Sequence, residues 1–389
     1  FNLSYHGLGN RLLFEEIAHM YLDICPSLAW SAPHCAQSNS NSKSGSERIR
    51  IGFISNYFYS HPVSNCYGDI IKFLSREKFE VFTISMMSSI RDDCFEELQA
   101  CSDVTISIPN NLDRARKMIA DACLDILIYP EIGMDPQTYL LAFSRLAPVQ
   151  CVIGGHPDTT GIPNVDYFIS GRSIEPKNAE DHYSERLINL SSILVGNIEI
   201  HAPREDASRM DYGIPKEANV YICAQTPYKF HPEFDNILGD ILRQDREGIL
   251  ILVKGTIHKH SQLLYQRLSK SIPDVIDRVM LLDRVPYHEF PSVLSVCDVC
   301  LDTIHFNGGS TSIMALAQGI PTVTLPTEFM RGRTTYGYYL QMGMMDCVAR
   351  TKEEYVEIAI RYAQDGKLRA GMMKKIKEAY KASLTDPQP

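Results

Sequence analysis

The chain is written in a repeating rhythm: a short apolar run, a turn, an amphipathic stretch, then another short apolar run. Ile49 to Ser55, Phe79 to Ser85, Ile126 to Tyr129 and Val149 to Ile153 have strand length, and helical spacing fills Val63 to Leu74 and Leu112 to Cys123. A strand covered on both faces reads as a nearly continuous apolar run, and parallel strands need helical crossovers. The rhythm therefore predicts an α/β fold built on a parallel sheet. It restarts near Ala218, with strands at Val220 to Cys223, Ile249 to Val253, Val279 to Leu282, Val299 to Leu301 and Thr322 to Leu325. Helices are predicted over Pro232 to Leu242 and Tyr287 to Val296. Two Rossmann-like lobes in series result, joined near residues 198–217.

The expected division is a helical lead-in with a Ser/Asn-rich linker over 1–46, an N-terminal lobe over 47–204 and a C-terminal lobe with terminal helices over 205–389. In the lead-in, Leu12, Leu13, Ile17, Ala18 and Tyr21 fall on one helical face. Ser38 to Ser46 holds no apolar side chain and reads as a flexible linker. The charged stretch from Lys352 to Ala382 reads as a helical tail. The chain opens on Phe1 with no cationic-then-apolar leader, as expected of a processed or excised piece.

A formal charge of -9 excludes a general nucleic-acid binder, because no net cationic field gathers phosphates. No apolar run reaches bilayer length, so no membrane span is expected. Eleven scattered cysteines, an odd number, suit free thiols in a reducing compartment such as the cytoplasm better than a disulfide framework. Cys297 and Cys300 form a C-x-x-C with no second pair to complete a zinc set, so they read as core cysteines, with redox or metal chemistry as the other reading.

Four segments carry candidate chemistry. Asp302 to Ser312 follows a buried strand and opens a helix, and it contains Asn307, Gly308, Gly309, Ser310 and Thr311. Glycines admit a ligand close to the backbone, and a helix start offers free N–H groups to an anion such as a diphosphate. An ordinary glycine turn with Ser310 as the cap fits the same residues. Gln225 to Lys229 follows another strand, where open α/β sheets place their ligands; Lys229 is either a contact for a leaving diphosphate or a solvated surface lysine. His61 and His156 each follow a strand. Each is either a proton acceptor or hydrogen-bond partner for a sugar or phosphate, or simply a cap. No Asp-x-Asp occurs anywhere, so no metal site and no cofactor are expected.

Taken together, the segments resemble the glycosyltransferase family that contains O-GlcNAc transferase and plant SPINDLY, its bacterial members in particular. The resemblance runs from Arg48 to about Ala349. It is carried by Arg48-Ile49-Arg50-Ile51-Gly52-Phe53-Ile54-Ser55 with His61-Pro62, Leu146-Ala147-Pro148-Val149-Gln150 and His156-Pro157-Asp158-Thr159-Thr160-Gly161. Further on come Asp166-Tyr167, His182-Tyr183-Ser184-Glu185-Arg186-Leu187, Tyr228-Lys229, Asp298 to Thr303 and Asn307-Gly308-Gly309-Ser310-Thr311.

The resemblance implies the two-lobed GT-B glycosyltransferase fold and metal-independent transfer with inversion. It also implies a nucleotide-sugar donor, UDP-GlcNAc first and GDP-fucose second, and a protein hydroxyl as acceptor. Transfer to a small molecule or glycan, and a degenerate homologue that binds without turnover, stay open. Carried over by position, Lys229 meets the leaving diphosphate, Ser310 and Thr311 bind phosphate, Phe290 stacks on the base, and His61 lies near the donor sugar. Two positions depart from the family. Tyr57 stands where some members have an Asp proposed as base, and Met314 where an acidic residue binds the ribose. The tetratricopeptide repeats that usually precede the catalytic part are absent from this chain, and His6 falls near a family histidine.

Overall fold

Strands β1 (Ile49–Ile54), β2 (Phe79–Met86), β3 (Val104–Ile108), β4 (Ile126–Tyr129), β5 (Val149–Ile153), β6 (Tyr167–Gly171) and β7 (Arg186–Leu190) form one sheet, in the order β3-β2-β1-β4-β5-β6-β7. Every pairing in it is parallel. A second parallel sheet contains β8 (Asn219–Cys223), β9 (Gly248–Val253), β10 (Val279–Leu282), β11 (Val299–Leu301) and β12 (Thr322–Val323), in the order β10-β9-β8-β11-β12. These are the features of a computed structural model, which describes residues 2–36, 48–192 and 200–384. The expected linker at Ser38 to Ser46 lies outside the described residues. The sheets belong to separate units, Leu8–Asn197 and Ile198–Pro389, the latter also taking in Asn2–Gly7.

Both sheets confirm the α/β expectation, and the reason lies in their central strands. β8 and β9 bury Val220, Ile222, Ile249 and Ile251 in one core with Val293, Leu294 and Ala315 from helices. In the first unit, Ile51, Phe53 and Val81 share a core with Ile71 and Leu98. Burying each such side chain stabilises by about 1.5–3 kcal/mol.

The strands that the pattern does not predict lie outside the sheet centre. β3 and β7 are edge strands with one partner each, and Arg186, Asn189 and Leu190 of β7 escape full burial. An edge strand needs no continuous apolar run. The lead-in helix Arg11–Ile24 is present as the spacing predicts. Ala18 is buried and Phe14 half-buried, while Leu12 is 74% exposed and Leu13 is exposed. The C-terminal stretch is two helices, Lys352–Gln364 and Gly366–Ser383, because Asp365 caps the second through the N–H groups of Lys367 and Leu368. No helix among the described residues is long and apolar enough to cross a membrane.

Candidate functional site

In a sheet of this order the strands on either side of the first strand run outward in opposite senses, which opens a crevice at their carboxyl ends. In the second unit that crevice lies between β8 and β11. Gln225 and Lys229 follow β8, and Asp302 to Ser312 follow β11. The fold therefore brings together two segments that are 78 residues apart at the Lys229–Asn307 contact.

The contacts between them are specific. Lys229 Nζ donates to Gln225 Oε1 at 3.1 Å and to the Asn307 carbonyl at 2.9 Å, and it lies 4.8 Å from the Phe306 ring centre. Gln225 Nε2 donates to Thr311 Oγ1 at 2.6 Å. Burial lowers the Lys229 ammonium to about 8, with the Asp302 carboxylate opposing that shift. Asp302 itself is pushed up to about 6 by burial, although it accepts the Gly308 N–H at 2.8 Å and the Thr324 hydroxyl at 3.0 Å. Its oxygens thus tie the loop to Thr324 just beyond β12, and the Tyr355 hydroxyl donates to its carbonyl. Asp302, Thr324 and Tyr355 had no assigned role in the sequence; only the position of Asp302 at the end of an apolar strand hinted at one.

The loop ends in the helix Ser310–Ala317, whose N-cap is Gly309 and has no side chain to bond the first turn. Ser310 is therefore the first helical residue and not the cap, and its buried Oγ has no partner. The free N–H groups of a first turn, together with the helix dipole, favour an anion. Gly308 must be glycine for a steric reason: a Cβ there would strike the Gln225 amide, Ser312 Oγ and Thr311 Oγ1. Asn307 Nδ2 donates to the Thr303 carbonyl at 2.6 Å, which folds the loop back on itself. Lys229, Gln225, Asn307, Gly308, Gly309, Ser310 and Thr311 are in this way one constellation.

Two sequence candidates stand elsewhere in the same unit. Phe290 is half-buried at the start of the helix Phe290–Ser295 and packs against the apolar core. Met314 is 2% exposed within that same core. A carboxylate in its place would be buried among apolar atoms, at a cost in stability.

The corresponding crevice of the first unit, between β1 and β4, is chemically different. His61 Nδ1 accepts the Val63 N–H at 3.2 Å and caps the helix Pro62–Phe73, which has proline at its first position. With Nδ1 accepting, the neutral ring carries its proton on Nε2, which makes Nε2 a donor. Burial lowers His61 to about 4, so it is neutral at physiological pH. Its ring lies 4.6 Å from that of Tyr57, whose hydroxyl donates to the Met134 carbonyl at 3.0 Å. Burial raises the Tyr57 phenol to about 12, so it does not replace a carboxylate as a base.

Beyond β4, Glu131 is fully buried; Oε2 accepts the Ser55 hydroxyl at 2.8 Å, and Oε1 has no partner. Burial pushes this carboxyl well above the usual range. His156, after β5, is buried against Gly133. The loop that bears it is pinned by Glu185, which accepts the Thr159 hydroxyl at 2.7 Å and the Thr160 N–H at 2.7 Å. Cys297 and Cys300 lie in the core of the second unit, with thiols raised by burial.

Comparison with known proteins gives this geometry a family. A probable UDP-N-acetylglucosamine--peptide N-acetylglucosaminyltransferase SEC of Arabidopsis thaliana is 26% identical over 365 residues, which is 90% of this chain and 37% of that protein. A UDP-glucose:protein N-beta-glucosyltransferase of Actinobacillus pleuropneumoniae is 24% identical over 262 residues, 66% of this chain and 42% of that one. The chain thus spans well under half the length of these relatives. Among solved structures, a point mutant of the Thermobaculum terrenum O-GlcNAc transferase matches with a TM-score of 0.78 at 24% identity. That match covers 97% of this chain and 70% of that one. The model of glycosyl transferase family 41 matches residues 30–201 and 205–386. The chain belongs to glycosyl transferase family 41.

Proposed function

We propose that this chain transfers a sugar, GlcNAc first among the candidates, from a UDP donor to a side chain of an acceptor protein, with inversion and without a metal. The observation that carries this reading is the joined cradle in the β8/β11 crevice: Lys229, held by Gln225 and the Asn307 carbonyl, beside an uncapped helix start. In the proposed reaction the acceptor heteroatom attacks the anomeric carbon, the carbon–oxygen bond to the diphosphate breaks, UDP departs with the bonding pair, and the acceptor's proton passes to the departing diphosphate or to water. Lys229 and the N–H groups of the first helical turn neutralise the charge that gathers on the leaving diphosphate. They do so without a metal bridge; the Asp302 carboxylate accepts from the Gly308 N–H and the Thr324 hydroxyl.

His61 contributes a neutral Nε2–H donor to the sugar or its phosphate. It becomes a proton acceptor only by releasing its cap on Val63. Phe290 is the proposed stacking partner for the base. The names of the two relatives differ in sugar and in linkage, so an O-linked GlcNAc and an N-linked glucose are separate outcomes. Incubation with UDP-GlcNAc or UDP-glucose and a peptide library, read by mass spectrometry, distinguishes the added sugar. Alkaline elimination then separates hydroxyl from amide linkage. Transfer of GlcNAc to Ser or Thr is expected; UDP binding with no transfer to any acceptor would leave a nucleotide-sugar-binding homologue.

A further inference from the structure

Beside the donor cradle lies a second cluster of titratable side chains that takes no part in it. His231 follows Lys229 by two residues and starts the helix Pro232–Gln244, its Nδ1 accepting the Glu233 N–H at 3.3 Å. His305 stands in the loop after β11, three residues before Gly308, with a φ of 64° that non-glycine residues seldom adopt. Glu233 lies between them, its carboxylate 3.7 Å from His305 Nε2. The two imidazoles meet edge to face at 4.6 Å, and one ligand atom from each of the three residues lies within 4.8 Å of the others. His305 Nε2 is buried and has no hydrogen-bond partner.

We propose that His231, Glu233 and His305 bind a divalent transition-metal ion of the zinc type, which clamps the turn bearing Lys229 to the loop bearing Gly308. Two imidazoles and one carboxylate form a three-ligand set that suits zinc and leaves its fourth position open. Bonds of about 2.0–2.1 Å in a tetrahedral site put the ligand atoms about 3.3 Å apart, so the three side chains must close by roughly 1–1.5 Å. Two existing contacts oppose that closure. Lys352 Nζ now lies 2.9 Å from Glu233 and must withdraw, because the ion takes over its charge. His231 must give up its helix cap, since a ring nitrogen that binds the ion leaves the other one protonated. The cap is long at 3.3 Å, so its loss is the smaller of the two.

The proposal does not depend on sugar transfer, because ion binding is measured with no donor present. The full chain, stripped with EDTA and dialysed, is titrated with Zn²⁺ by calorimetry and with Co²⁺ by visible absorption. One ion per chain and a tetrahedral Co²⁺ spectrum are expected. His231→Asn retains a capping side chain, and His305→Asn tolerates the left-handed backbone. Each is expected to weaken binding at least tenfold while leaving the melting temperature without metal near that of the parent. Lys352→Met removes the competing cation and is expected to tighten binding severalfold. Absence of binding in the parent overturns the proposal. So does undiminished affinity in both Asn variants, which would assign the ion to other residues, the exposed Cys25 and Cys123 among them.

Discussion

The β1/β4 crevice of the first unit and the β8/β11 crevice of the second occupy the same place in the same kind of sheet, yet they carry opposite equipment. The second is built to hold an anion: a buried ammonium, two glycines, and a helix start that no side chain caps. The groups of the first differ in kind. Its histidine is held unprotonated, its tyrosine is tied to a carbonyl, and its buried glutamic acid is pushed well above the usual carboxyl range. The helix starts state the contrast most simply. His61 closes the one at Pro62–Phe73 with its own Nδ1, whereas Gly309 leaves the one at Ser310–Ala317 open. The strand order shared by β3-β2-β1-β4-β5 and β10-β9-β8-β11-β12 supplies the position, and the residue at the cap decides whether an anion is welcome.

The largest expected effect falls on the second unit. Lys229→Ala is expected to lower kcat by about 10²–10³-fold, the scale for losing a donor aimed at developing charge. Initial rates together with melting temperature test this, and an unchanged rate removes Lys229 from the mechanism. Met314→Asp is expected to destabilise the second unit by several kcal/mol, because it buries a carboxylate in the core around Val293 and Ala315. Denaturant unfolding measures the loss; a neutral outcome would show that position 314 reaches solvent or ligand.

The counterpart in the first unit is smaller and of a different kind. His61→Ala removes a neutral donor and a cap. It is expected to reduce kcat by about tenfold or more, within the range for a single proton-handling group, while UDP affinity stays unchanged. If both quantities fell together, His61 would be assigned to nucleotide binding.

pH sharpens the same contrast. Lys229 binds a diphosphate in its cationic form and loses its proton near 8, so UDP affinity is expected to hold below pH 8 and to fall above it, by at most tenfold per unit. His61 contributes no such step near neutrality. Its folded value of about 4 lies below its unfolded value, so the neutral form is favoured by folding. The resulting stability is complete above about pH 6.5 and declines as pH falls towards 4. The smallest expected effect is none: adding Mg²⁺ or Mn²⁺ to the EDTA-treated protein gives no gain in the rate of transfer. Activity abolished by chelation and restored by Mn²⁺ contradicts the metal-free mechanism.

The legible part of this protein was its central strands and the two loops that follow them. β4, β5 and β11 have the predicted boundaries, because a strand buried between its neighbours has little freedom in composition, and the edge strand β10 has them too because its four residues are all apolar. The Lys229 and Gly308 segments were legible as separate signals, but nothing in the sequence showed that Lys229 Nζ bonds the Asn307 carbonyl across 78 residues. Asp302 was missed because its role is to hold a neighbouring backbone N–H. Glu131 was missed because a lone glutamate in a sequence reads as a surface residue, and only the packing of β1, β4 and Gly155 shows it buried. Helical spacing identified the lead-in helix but does not distinguish an apolar stripe that is covered from one that is not. Leu12 and Ile24 remain exposed.

The central claim is that the β8/β11 crevice recognises a diphosphate through Lys229 and the open helix start. Parallel titration of UDP and uridine into the parent and into Lys229→Ala isolates the phosphate contribution from that of the base. The account predicts that UDP binds the parent far more tightly than uridine, and that Lys229→Ala closes most of that gap while leaving uridine affinity unchanged. A gap of equal size in both proteins would contradict it.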